Sequence, residues 1–142
     1  MICDRIDKGK MAFNSSKKTL LDKKGGKSKY IISNPSNGDF SIIDFEKDIR
    51  KSENESICDF GMLTDDSFYY IELKGRSVEK GIKQLLTTIR LSNDCFPELS
   101  KKSRLVVSRF PNPNLAKKRK EYLDLKRLSE VIVKQNQYTE II

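Results

Sequence analysis

Asp59, in the run Ile57-Cys58-Asp59-Phe60, and Glu72, in Tyr70-Ile71-Glu72-Leu73-Lys74-Gly75, lie thirteen residues apart. On two antiparallel strands joined by a tight turn, that spacing lets the two carboxylates meet at one end of a sheet. Side chains alternate faces along a strand, so Lys74 points the same way as Glu72. Two converging carboxylates repel unless a proton or a cation intervenes. Mg²⁺ suits such a place, because it takes hard oxygen ligands from one or two carboxylates and keeps several waters. Asp59 and Glu72 would hold the ion, with the Leu73 backbone carbonyl as a further ligand. The metal would polarise a phosphate and lower the pKa of a bound water, while Lys74 orients that water or stabilises charge on the phosphate oxygens. The chain has no histidine, so this trio is its only evident equipment for cutting a phosphodiester. Without Asp59, the pair Glu72 and Lys74 reads as an ordinary ion pair at a sheet edge.

The elements that must position the trio are legible around it. Ile57 to Leu63 reads as a strand, Thr64-Asp65-Asp66-Ser67 as a tight turn, and Phe68 to Lys74 as a second strand rich in aromatic and β-branched residues. Phe68 and Tyr70 share the face of Glu72 and Lys74; Tyr69, Ile71 and Leu73 take the other. Gly75 breaks the strand, and Ser77 caps a helix running to about Leu91. Val78, Ile82, Leu85, Leu86 and Ile89 form its apolar stripe, and Arg76, Lys80, Lys83, Thr87 and Arg90 lie on another, basic face. Upstream, Tyr30-Ile31-Ile32 and Phe40-Ser41-Ile42-Ile43-Asp44-Phe45 flank a Pro35–Gly38 turn and predict a hairpin, with residues 46–56 as a connection. Downstream come a strand from Arg104 to Phe110, a basic helix over 115–128 with Leu115, Tyr122, Leu125 and Leu128 inward, a short strand Val131-Ile132-Val133, and a polar tail over 135–142. Residues 1–27 read as a mobile basic arm or as a short helix near 15–24. The predicted class is α/β (α+β): a mixed central sheet flanked by helices, in a single domain over 1–142.

Asp59, then Glu72-Leu73-Lys74, then a helix bearing Gln84, resemble the PD-(D/E)XK nuclease superfamily. The resemblance covers about residues 40–110. It implies a restriction-endonuclease-like core of three strands, a helix and a strand, with the superfamily's Asp, Glu and Lys roles carried by Asp59, Glu72 and Lys74. Some branches place a glutamine on the helix after the lysine strand, and Gln84 matches it; otherwise Gln84 is an ordinary solvated helix residue. Two departures stand out. Cys58 occupies the position of the proline in the superfamily's name, and no helix is legible at the N-terminus to supply an additional acid. Asp44, Glu46 and Glu53 are the candidate substitutes, each also readable as a solvated charge near a turn.

Composition frames this reading. The chain has 142 residues, 37% hydrophobic and 34% charged, with a net charge of +8. Residues 1–30 hold nine Lys/Arg against three Asp/Glu, residues 31–97 eight against twelve, and residues 98–142 eleven against five. An acidic middle between basic flanks fits a metal centre with phosphate-binding walls. Lys80, Lys83, Arg90, Arg109, Lys117, Lys118, Arg119 and Lys120, with Arg104, are candidate contacts to a nucleic-acid backbone. No apolar run approaches the roughly 18 residues of a membrane span, so no membrane partner is expected. Met1-Ile2-Cys3-Asp4-Arg5 has an acid where a secretory signal has a positive region, and no apolar stretch follows it. Three widely spaced cysteines, Cys3, Cys58 and Cys95, argue against a disulfide framework or a zinc knuckle and for a reducing cytoplasm. The expected function is a Mg²⁺-dependent nuclease of nucleic acid, DNA first, with Mn²⁺ as a substitute and a homodimer or a partner protein as further company. The competing expectation is a catalytically silent module on the same fold that binds nucleic acid or a protein.

Overall fold

The apolar run Ser67–Lys74 can be buried only if both faces of its strand are covered, and the architecture does this. In the computed structural model, which describes residues 2–49, 56–109 and 119–142, the chain is a mixed α+β structure with a six-stranded and a three-stranded sheet. The elements are α1 (Ile2–Gly9), β1 (Met11–Phe13), β2 (Lys17–Leu21), β3 (Lys29–Ser33), β4 (Phe40–Asp44), α2 (Phe45–Asp48), β5 (Phe60–Leu63) and β6 (Ser67–Lys74). After these come α3 (Val78–Ser92), β7 (Ser100–Val107), α4 (Lys120–Leu128), β8 (Glu130–Gln135) and β9 (Gln137–Ile141).

The larger sheet has the order β1-β4-β5-β6-β7-β8. Its first four strands pair antiparallel, and β7 and β8 then add parallel to β6. Parallel neighbours need a crossover, and α3 supplies the one between β6 and β7. The Ser77 side chain caps α3 by accepting from Lys80 N–H. Gly81 lets this helix approach closely: a Cβ there would lie 2.6 Å from Leu105 Cδ1. On the helical face of the sheet, Phe68 and Tyr70 pack with Leu85, Ile89, Leu105 and Val107. On the other face Tyr69, Ile71, Leu73 and Val106 pack against Leu20, Tyr30 and Ile32 of the small sheet, ordered β2-β3-β9. The alternation read along β6 is therefore the division between two cores.

Several expectations are corrected. The 30–45 hairpin does not form: β3 pairs with β2 and, in parallel, with β9, while β4 pairs with β1 and β5. The turn between β3 and β4 instead carries the chain from one sheet to the other, held where the Asn34 amide donates to the Ser15 and Gly38 carbonyls. The N-terminal region is not an arm, because α1 buries Ile6 and residues 11–13 and 17–21 are strands rather than a helix. The polar tail contains β9, reached through Asn136 at φ 68°, a conformation Asn tolerates better than most residues. The strand expected over 57–63 begins at Phe60, and that expected from Arg104 begins at Ser100 and ends at Val107. Helix α4 is described from Lys120, with Tyr122 and Leu125 inward and Leu128 exposed; Leu115 lies outside the described residues.

Cys3 and Cys95 form a disulfide, contrary to the reading of the cysteine spacing. Separation along the chain does not limit separation in the fold, and α1 packs beside α3, bringing the two Cα atoms to 5.3 Å. Cys58 is the remaining, buried thiol. The cysteine count thus gives no ground for a reducing compartment. Among the described residues no helix is long and apolar enough to cross a membrane.

Arg104 is not a surface contact either. It is 2% exposed between the sheets, where its guanidinium donates to Glu140, to the Glu130 side chain at 2.7 Å and to the Glu130 carbonyl at 2.9 Å. Tyr30 Oη also donates to Glu140, at 2.8 Å. Removing one partner of such a buried set leaves a charge stranded. Arg104→Leu should lower unfolding stability by about 3–5 kcal/mol, read from urea denaturation; a change within experimental error would show that the two sheets are held by apolar packing alone.

Candidate active site

Register brings the two acids together. In the antiparallel pairing of β5 and β6, Phe60 is opposite Ile71, so the next position outward sets Asp59 opposite Glu72. The residues interlock there: Asp59 N–H donates to Glu72 Oε1 at 3.0 Å, and Leu73 N–H donates to Asp59 Oδ2 at 2.9 Å. The N–H and C=O of one strand residue point to the same side, so the Leu73 carbonyl also faces the Asp59 edge. Lys74 Nζ lies 3.6 Å from Glu72 Oε2. Because β6 sits between β5 and β7 in the sheet, Glu72 and Lys74 are not an edge ion pair.

Neighbouring elements hold the Ile57–Asp59 segment. Phe45 N–H, at the start of α2, donates to the Asp59 carbonyl at 3.0 Å. From α3, Thr88 Oγ1 accepts Cys58 N–H at 2.8 Å, and Gln84 Nε2 donates to the Ile57 carbonyl at 3.2 Å. Thr88 is held in turn by donating to the Gln84 carbonyl at 2.7 Å. Gln84 therefore positions the backbone before Asp59, while its buried Oε1 accepts no hydrogen bond among the described residues.

Asp59, Glu72, Leu73, Lys74 and Gln84 line one cleft of about 340 Å³. Glu72 is 1% exposed. Burial pushes its carboxyl well above the ordinary range, the Asp59 charge pushes it further, and Lys74 opposes both. Asp59 is also raised, first by burial; the Leu73 N–H and Lys74 draw it back, while the charges of Asp22 and Glu46 push it up. The group is thus a crowded anionic pair with one nearby cation.

Not every predicted residue joins it. Asp44 does not line the cleft; its carboxylate caps α2 by accepting Lys47 N–H at 3.0 Å and pairs with Lys23. Glu46 does line the cleft, and Glu53 lies outside the described residues. Lys80 and Lys83 are exposed on α3 and border a groove shared with α4. Arg109 is exposed just beyond β7, its N–H donating to the carbonyl of the cleft residue Gly75 at 3.0 Å. Arg90 pairs with Asp124 at 3.6 Å and Arg119 with Glu79 at 2.8 Å, while Lys120 opens α4. Lys117 and Lys118 lie outside the described residues.

Sequence reasoning missed the β2–β3 turn, which contributes Asp22, Lys24 and Gly26 to the cleft. The signal was present: Gly25-Gly26 after Asp22 marks a turn. Gly25 has φ 80°, and a Cβ on Gly26 would strike Asp22 Oδ2 at 2.1 Å.

Among the described residues no three His, Cys, Asp or Glu side chains converge as a metal-binding group. A cation here would therefore rest on two carboxylates, main-chain oxygen and water. That donor set fits Mg²⁺, and the raised carboxyls are groups whose charge such an ion would neutralise. No protein-family model matches the chain, and neither a curated protein nor a solved structure matches it.

The raised Glu72 carboxyl fixes the sign of a pH effect. The folded state holds this proton more tightly than the unfolded chain does, so the stabilising contribution is complete below the unfolded carboxylate range. It is lost as pH rises through the folded value. Without divalent cations, the wild type should lose more thermal stability than Glu72→Gln as pH rises from the carboxylate range to neutrality. Parallel melting curves against pH would refute the crowded pair.

Proposed function

We propose that this chain is a Mg²⁺-dependent nuclease that hydrolyses phosphodiester bonds in DNA, with Mn²⁺ able to replace Mg²⁺. The observation that carries the reading is the interlocked pair Asp59 and Glu72 with Lys74 beside it in one cleft. The antiparallel run β4-β5-β6, the helix α3 and the parallel strand β7 are similar in order to the PD-(D/E)XK core and support the same assignment.

Asp59, Glu72 and the Leu73 carbonyl would hold the ion. When bound, it supplies Lewis-acid polarisation of the phosphodiester and makes water a competent nucleophile near neutral pH. Lys74 orients the attacking water or meets charge growing on the phosphate oxygens. Thr88 and Gln84 keep the Ile57–Asp59 backbone in register with Glu72. Lys80, Lys83 and Arg109 would grip the phosphate backbone without reading sequence. Arg90 and Arg119 would do so only by leaving Asp124 and Glu79. A homodimer or partner protein would serve to bring a second site to the other strand. Cytoplasmic residence is part of this reading, resting on the substrate and not on the cysteines.

The second reading is a silent module with the same fold that binds nucleic acid or a protein. Although Asp22 and Glu46 line the cleft, no three acids among the described residues are grouped so as to hold a metal ion, which favours it. The purified protein should nick or degrade DNA in Mg²⁺ or Mn²⁺ and stop in EDTA. Glu72→Ala and Lys74→Ala should each lose at least about 100-fold in rate while keeping the wild-type circular dichroism. An inert wild type on duplex, single-stranded, branched and RNA substrates would leave only the module.

A further inference from the structure

The edges of the two sheets differ in what could complete them. The six-stranded sheet ends in β1 and β8, the three-stranded sheet in β2 and β9. An edge strand presents a row of unpaired N–H and C=O groups, a template for another chain. β1 is only three residues long, and β2 opens on the like charges Lys17 and Lys18. β9 has no basic residue, and its Glu140 is already held by Arg104 and Tyr30. β8 is different. Its six residues read Glu130-Val131-Ile132-Val133-Lys134-Gln135, an apolar centre with opposite charges on either side.

The pairing of β8 with β7 shows which of its groups are free. Asn136 N–H donates to the Val107 carbonyl at 2.7 Å. In a parallel ladder both groups of one residue point to the same neighbour, and alternate residues turn away. Glu130, Ile132 and Lys134 therefore bond toward β7, while the N–H and C=O of Val131, Val133 and Gln135 point outward. The Val131 and Val133 side chains pack against the helical core, so those of Glu130, Ile132 and Lys134 lie on the other face. Ile132 is half-buried there, and Glu130 and Lys134 are exposed.

A second copy added antiparallel must set outward residues against outward residues. The two-fold registers that do so centre on Val131, Ile132 or Val133. Centred on Ile132, Val131 of one copy exchanges hydrogen bonds with Val133 of the other. Ile132 then meets its own copy and Glu130 meets Lys134, at the positions where opposed side chains come closest. Centred on Val131, Glu130 would face Ile132; centred on Val133, Lys134 would. Only the Ile132 register answers both charges. Glu130 can serve it while holding Arg104, because the guanidinium engages Oε1 and the Glu130 side chain stays 61% exposed. The same two-fold axis would set both copies of α4 on one face of the joined sheet. That helix packs beside β8 and exposes Leu123 and Leu128, which add apolar surface near the pairing.

We infer that β8 is a self-complementary edge, and that a second copy of this chain pairs with it antiparallel about Ile132 to join two six-stranded sheets into one. The inference does not rest on the nuclease reading, and its test reads no activity.

Sedimentation equilibrium from about 1 μM to 1 mM should show the wild type passing from monomer to dimer. Lys134→Glu sets like charges opposite each other twice over and should weaken the dimer at least about tenfold. Lys134→Arg should leave it near the wild-type value. Val133→Pro removes an outward N–H and spares the ladder to β7, so it should give a monomer with the wild-type circular dichroism. In the dimer the Val131 and Val133 amides should exchange with solvent more slowly than in Lys134→Glu. A dimer that Lys134→Glu leaves unchanged overturns the inference. A wild type that is monomeric throughout also overturns it, and leaves Glu130 and Lys134 as charges that guard a solvent-facing edge.

Discussion

Everything near the cleft depends on one unfavourable contact, the meeting of Asp59 and Glu72 at the end of two apolar strands. The β5–β6 register sets them opposite each other, and the two cores on either side of β6 keep Glu72 out of water. A buried carboxylate is costly unless it is paired and fully hydrogen-bonded. Glu72 receives one backbone N–H and a lysine at 3.6 Å, while its nearest acid repels it. An apolar residue at this position would relieve the repulsion but leave Asp59 N–H without its acceptor and Lys74 without its carboxylate. A cation bound between the two carboxylates would offset this repulsion, and anything that binds the folded state alone stabilises it.

The surrounding hydrogen bonds make sense as a response to that repulsion. Asp59 precedes β5, so ladder hydrogen bonds alone do not hold it. Three elements contribute instead: α2 through Phe45 N–H, and α3 and β6 through Thr88, Gln84 and Leu73 N–H. Thr88 matters because a β-branched hydroxyl can take the Cys58 N–H while donating to the carbonyl one turn back, at Gln84. The close approach at Gly81 keeps α3 near enough for these bonds. Packing and polar contacts thus converge on holding a segment that would otherwise swing away from Glu72.

The parts legible in the sequence are those governed by local rules. The alternation of Phe68, Tyr70, Glu72 and Lys74 against Tyr69, Ile71 and Leu73, the Ser77 cap and the apolar stripe of α3 all depend on neighbours within a few residues. What was misread depends on distant partners. Tyr30-Ile31-Ile32 looks like half of a hairpin with the next strand, yet its parallel partner is β9, about a hundred residues on. In β9 the inward positions are Tyr138 and Glu140, so the segment reads as polar tail until Arg104 is known to await it. The Cys3–Cys95 bond was hidden for the same reason. Of the site, Asp59, Glu72, Lys74 and Gln84 were visible; Asp22, Lys24 and Thr88 were not, because their roles exist only once the small sheet and α3 have closed around the cleft.

Arg104 and Glu72 show how a buried charge that builds the fold differs from one that serves a site. Both are almost fully enclosed on adjacent strands of the same sheet. The Arg104 guanidinium is met by two carboxylates and two main-chain carbonyls, those of Ser103 and Glu130. Its charge is answered from within, and the result is a joint between two sheets. Glu72 faces the opposite balance, with more negative charge beside it than positive and a cleft open toward solvent on that side. Residue type alone would send the arginine to the nucleic-acid surface and leave the glutamate in an ion pair. Charge balance separates the two: Arg104 is answered by carboxylates and carbonyls and joins the sheets, while Glu72, with only Lys74 against the Asp59 charge, is the less satisfied group.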